Sequence, residues 1–186
     1  MDDKARDTAL APLSDAAWPP EIADLREGFA GQLNVYRTMA HHPALLRAWA
    51  PLRQHIVREN ALGPEQLEIV ILRAAFRIGS DYEWNQHVYR ARAIGVADTR
   101  ILALRGNPEG EDALLVQAVD SLFAEQRLPP AMEAALAARH GRRAVFDLLA
   151  TIGFYTTLGF ILKTYETPLD EAVVASLAAQ PLQREA

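Results

Sequence analysis

Residues 62–96 read LGPEQLEIVILRAAFRIGSDYEWNQHVYRARAIGV. Gly63 and Pro64 stop one element and start another, since glycine ends helices and proline suits a first helical turn. The following run, LEIVILRAAF, is apolar nearly all round except at Glu68 and Arg73. A helix without a clear polar face is buried among others. Gly79 ends this helix. Ser80 opens the next, SDYEWNQHVYRARAIG, and Gly95 closes it. Ser80-Asp81-Tyr82-Glu83 fits the S-x-x-E capping box, in which the serine oxygen and the glutamate each satisfy a backbone amide. Two successive helices, the first with no solvent face, point to an all-α chain.

The rest of the sequence agrees. Upstream, Pro19-Pro20-Glu21 reads as a helix start, and Leu25, Phe29, Leu33 and Tyr36 recur with the helical period. His42-Pro43 interrupts, and a second helix is expected over 43–60, with Leu45, Leu46, Trp49, Leu52 and Ile56 on one side. Downstream, helices are expected at about 98–104, 111–126, 130–139, 143–165 and 168–179. No stretch alternates in the manner of a strand. The count is seven to nine helices. Residues 144–162 are long enough to span a bilayer, which takes ~20 residues. They carry Asp147, Thr151, Thr156 and Thr157. A charge inside a span is costly, so the stretch reads as a buried core helix. Setting Gly79 on Gly153 gives a weak internal repeat. Its second copy has Thr156, Thr157 and Ile161 in place of Tyr82, Glu83 and His87, which puts any chemistry in the first half.

The chain has 186 residues, enough for one domain with a proper core. Residues 1–17 read as a flexible N-terminal arm and 18–186 as a single domain. Lys and Arg number 19 against 24 Asp and Glu, with no basic run. That argues against a nucleic-acid partner. There is no cysteine. This excludes a disulfide framework, a thiolate nucleophile, a thiolate metal site and a redox dithiol. The opening residues are acidic and lack the apolar segment of a secretory signal, so a cytoplasmic location is expected, without a membrane partner.

Three residues could carry chemistry. Glu68 shares its face with Ile71 and Leu72, and a buried carboxyl must find a donor or keep its proton. An arginine such as Arg73 is its ordinary partner. His87 lies one turn after Glu83 and faces the same way. Its ordinary role is a packed histidine. A Glu–His pair is too small a set to hold a metal, and none is expected. Glu83 serves the capping box, or else orients His87 or faces a ligand.

The span 62–96 resembles the carboxymuconolactone decarboxylase family, which includes the alkylhydroperoxidase D branch. The tail GFYTTLGFILKTYETPLD resembles the second half of longer members. The resemblance covers most of residues 20–170. It implies an all-α, alkylhydroperoxidase D-like fold with a weak internal pseudo-repeat, assembled as a homotrimer or hexamer. In the redox branch the site reads Glu, eleven residues, Cys-x-x-Cys, three residues, His. Counted from Glu68, Ser80 and Glu83 stand at the two former cysteine positions and His87 at the histidine position. The spacing is intact and the thiols are gone, so thiol-peroxidase chemistry is excluded.

What survives is Glu68 and His87. Thiol-free decarboxylases of the family are similar in this respect. The resemblance implies a cofactor-free lyase that decarboxylates, or moves a proton on, a small carboxylated or lactone metabolite. His87 would be the acid/base, with Glu83 beside it, and Glu68 would fix its tautomer. Tyr82, Trp84 and Tyr89 would line an apolar pocket or simply pack. Arg73 or Arg77 would hold a substrate carboxylate or form a structural ion pair. The alternative is a non-catalytic oligomeric binding or scaffold protein.

Overall fold

The computed structural model describes residues 10–182, in ten α-helices and three 3-10 turns. The helices are α1 (Ala23–Glu27), α2 (Asn34–Met39), α3 (Pro43–Arg58), α4 (Pro64–Ile78), α5 (Asp81–Ala93), α6 (Asp98–Ala103), α7 (Ala113–Glu125), α8 (Pro130–His140), α9 (Arg142–Thr164) and α10 (Glu171–Ala179). The fold is all-α, with no strand among the described residues. Residues 1–9 of the expected arm lie outside them.

α4 is the axis of the structure. It begins at Pro64 behind Gly63, whose φ of 85° few other residues adopt, and ends on Gly79 in the left-handed region. Nine consecutive residues, Leu67 to Ala75, are buried. The reason is that α4 faces two cores at once. Ile69, Val70 and Leu72 pack with α5, α7, α8 and α9. Leu67 and Ile71 pack with the N-terminal segment, α3 and the far half of α9. Each such aliphatic side chain contributes roughly 1.5–3 kcal/mol on burial.

α9 runs unbroken through Gly153, so the position paired with the Gly79 break lies inside a continuous helix. By length and composition α9 could cross a membrane, yet it packs along α4 and α8. Its Asp147 is buried and bonded rather than stranded, accepting from the Ala61 amide at 2.7 Å and His55 at 2.8 Å. At Gly159 a Cβ would sit 2.7 Å from Ile78, so the missing side chain lets α9 close on the end of α4. Lys163 then donates to the Ile78 carbonyl at 2.9 Å.

The expected helix through Leu25, Phe29, Leu33 and Tyr36 is not continuous. The chain makes the turn Pro20–Ile22, then α1, the turn Ala30–Gln32 and α2. Gly28 and Gly31 cause the breaks. At Gly31 a Cβ would lie 2.2 Å from the Arg26 carbonyl oxygen, a doubling-back open only to glycine. The apolar residues still reach the core: Ile22, Val35, Tyr36 and Met39 are buried. This broken segment roofs the site described next.

Candidate active site

α4 and α5 form a helical hairpin hinged at Gly79-Ser80, and their facing sides carry the candidate residues. Glu68 points from α4 at His87 on α5, with Oε2 to Nδ1 at 2.6 Å. The expected arginine partner of Glu68 is therefore a histidine. On the other side of the ring, His87 Nε2 lies 3.5 Å from Glu83 Oε2. The three groups form a row: carboxyl, imidazole, carboxyl. The edge of the imidazole meets Tyr155 of α9, with ring centroids 5.0 Å apart at 88°.

The capping box is only half formed. The Ser80 hydroxyl accepts from the Glu83 amide at 3.4 Å. The Ser80 amide donates instead to the Ala75 carbonyl at 3.0 Å, within the turn that ends α4. Glu83 thus has no amide to reach back to, and its carboxyl turns inward toward His87. Its Oε1 is buried with no hydrogen-bond partner among the described residues. A lone buried carboxylate is costly, and the cost is avoided by keeping the proton.

Electrostatics follow from this burial. Burial pushes the Glu83 carboxyl up to about 8; the Arg90 guanidinium pulls the other way, and the Glu68 carboxylate adds to the rise. Burial lowers the His87 imidazole below its ordinary value, against the pull of Glu68. At neutral pH the row therefore holds an uncharged imidazole and a protonated Glu83. With Glu68 accepting from Nδ1–H, the bare Nε2 faces Glu83. Burial also holds the Tyr155 phenol far above its usual range.

A cavity of about 350 Å³ opens beside the row, within the size range of small-molecule sites. Glu68, Arg53, Arg90 and Tyr155 are among its walls. Behind it a void of about 10 Å³ is lined by His87, Glu83, Tyr82 and Tyr36. Arg90 and Tyr155 border both.

The other expected residues divide. Tyr82 borders the inner void. Its hydroxyl accepts from the Val35 amide at 3.2 Å and donates to the Asp170 carboxylate. Asp170 also accepts from the Asn34 amide at 2.8 Å, so Tyr82 ties the roof to the start of α10. Tyr89 is on the cavity wall. Trp84, expected to line the substrate pocket, does not: it packs in the core on the other side of α5, with the Arg105 guanidinium 4.2 Å from its ring centre. Arg73, expected to hold a substrate carboxylate, is committed elsewhere. It grips Asp120 of α7 through two bonds of 2.9 and 2.6 Å and donates to the Leu104 and Gly106 carbonyls, each at 2.8 Å. Arg77 joins the same Asp120 at 2.9 Å. Both arginines pin helices together. No group of three His, Asp or Glu side chains among the described residues is arranged to hold a metal ion.

Sequence reading missed Arg53, Arg90, Tyr36 and Tyr155. Arg90 had a signal, being three residues after His87 on the same helical face. The others come from α3, α2 and α9, and local spacing carries no trace of them.

The carboxymuconolactone decarboxylase family profile matches residues 43–109, a span that holds Arg53, Glu68, Glu83, His87 and Arg90. No curated protein is similar in sequence. Among solved structures the chain is similar to a cysteine-to-alanine variant of the debrominase Bmp8 in complex with 2,3,4-tribromopyrrole. The TM-score is 0.71 at 18% identity, over 95% of this chain and 98% of that one. The likeness shows a shared fold, and the retained Glu–x11–Ser–x2–Glu–x3–His spacing lies inside the matched span. Residues 43–109 are thus similar to the carboxymuconolactone decarboxylase family, and the chain has no Cys-x-x-Cys pair.

Proposed function

We propose that this chain is a cofactor-free acid–base enzyme, a lyase that decarboxylates a small carboxylated or lactone metabolite. The observation that carries the reading is the buried row Glu68–His87–Glu83 beside a cavity. Glu68 fixes the tautomer and orientation of the imidazole. His87 and Glu83 share one movable proton at the inner void, which Arg90 and Tyr155 divide from the cavity. In the reaction the bond to the departing carboxylate carbon breaks and carbon dioxide leaves. Its electron pair passes into the conjugated carbonyl of the substrate. The proton of the His87–Glu83 pair then moves to the vacated carbon, and the pair takes a replacement from water. An acid of pKa near the working pH suits such a transfer, and the raised Glu83 carboxyl meets that demand. The small ring held in the Bmp8 complex supports a small cyclic substrate here.

The test is carbon dioxide release from a panel of lactone acids and keto acids. Glu83→Gln and His87→Gln are expected to lower turnover by ~100-fold or more with the fold retained, as loss of a general acid does. Unchanged turnover in both variants overturns the reading and leaves a binding or scaffold role.

A further inference from the structure

Most arginines buried or half-buried in this chain are spoken for. Arg73 and Arg77 hold Asp120, Arg92 holds Asp98, and Arg100 holds Asp112 and Glu65. The cavity beside Glu68 is different. Arg53, Arg58 and Arg90 all line it, and none has a carboxylate within ion-pair distance among the described residues. Arg53 is only 8% exposed, and its Nε is buried with no hydrogen-bond partner. Its guanidinium lies 4.5 Å from the Phe29 ring centre and 6.0 Å from that of Tyr36. The aromatic rings brace the cation by its face. They supply no counter-charge. Burying a guanidinium without its hydrogen bonds is expensive, and three cationic heads here meet one carboxylate, Glu68, that is already bonded to His87.

We propose that Arg53 and Arg90 form the seat for a carboxylate of the substrate, with Arg58 at the cavity mouth as a weaker, solvent-screened contact. The assignment rests on reading this cavity as the reaction site, and it replaces Arg73 in the role of carboxylate holder. Arg53 comes from α3 and Arg90 from α5, so a bound anion bridges two helices across the cavity. Arg90 also borders the inner void with Glu83 and His87. A carboxylate gripped there places the attached ring against the proton-bearing pair. Its charge also offsets the guanidinium that draws the Glu83 carboxyl down, so the bound state keeps the proton in place.

The test is calorimetric binding of three unreactive probes built on one benzene ring: phthalate with two carboxylates, benzoate with one and benzamide with none. Wild type is expected to bind phthalate more tightly than benzoate and benzamide least. Arg53→Met and Arg90→Met keep the apolar stem and remove the charge. Each is expected to weaken phthalate ~10–100-fold, the worth of a charge-assisted bond or pair of bonds, while benzamide binding stays within ~2-fold. Arg58→Met is expected to change phthalate binding less than ~3-fold. If Arg53→Met does not fold, Arg53→Lys and Arg90→Met decide the matter, the first retaining partial phthalate binding. No phthalate binding to wild type, equal affinity for benzamide, or wild-type affinity in the arginine variants overturns the seat. Phthalate binding in Glu83→Gln separates the two proposals. A seat that holds while Glu83→Gln and His87→Gln leave turnover unchanged sinks the acid–base reading alone.

Discussion

Two histidines in this chain each rest on a carboxylate, His87 on Glu68 at 2.6 Å and His55 on Asp147 at 2.8 Å. The pairs look alike and behave oppositely. The His55 side chain is 46% exposed, and its bond to Asp147 raises its pKa, with Glu59 adding to the effect. Asp147 has two donors and joins α3 to α9. His87 is sealed in, and burial outweighs the pull of Glu68 and lowers its pKa. Its second neighbour, Glu83, has an oxygen with no partner. One pair is a satisfied clasp and the other holds a proton with somewhere to go. The contact distance does not separate them. Solvent and leftover hydrogen-bonding capacity do.

Four measurements would break or sharpen that contrast. The largest effect is the loss of turnover in Glu83→Gln and His87→Gln given above, with no counterpart at the clasp: Asp147→Asn should turn over as wild type does. The next is the pH profile. The Glu83 pKa is raised in the folded chain, so its contribution to stability is full below about 4.5 and is lost as pH rises through about 8. The lowered His87 pKa acts the other way, its contribution being present above about 6.5 and lost as pH falls through the folded value. Between about 6.5 and 8 the Glu83 decline remains, joined by the smaller one of the exposed His55. Urea midpoints should fall across that window more steeply in wild type than in Glu83→Gln, and turnover should fall on the same limb.

Smaller effects belong to the clasp. Asp147→Ala leaves the Ala61 amide without its acceptor and is expected to cost ~1–3 kcal/mol by urea unfolding. The smallest is His55→Gln. A raised histidine pKa stabilises below the ordinary value of 6.5 and ceases to do so as pH climbs through the folded value. Melting temperatures of His55→Gln and wild type should therefore differ slightly at pH 5.5 and coincide at pH 9. A difference that grows with pH would reverse the assignment.

The sequence makes α4 legible almost to the residue, because Gly63-Pro64 and Gly79 are punctuation with local causes. The same periodicity misleads over residues 20–36. There the apolar residues keep helical spacing while Gly28 and Gly31 let the chain double back, and only a fold with Arg26 overhead requires that. Glu68 and His87 are legible from spacing along the α4–α5 hairpin. The unmade half of the capping box is not, since it depends on where the Ser80 amide points. Arg73 looks free in sequence because Asp120 is 47 residues away. Arg53 looks ordinary because nothing local says its carboxylate is missing.

The junction at Asp170 has a consequence for the order of assembly. Its carboxylate joins the Asn34 amide across 136 positions, and the Tyr82 hydroxyl across 88. Closing so long a loop costs little more entropy than closing one of half the length, roughly 0.6 kcal/mol. It does, however, have to wait for residue 170 to be synthesised. At ~5–20 residues per second, α4 and α5 exist for several seconds before the roof over His87 can be tied down. The proton row is thus enclosed last, by a knot at the far end of the chain.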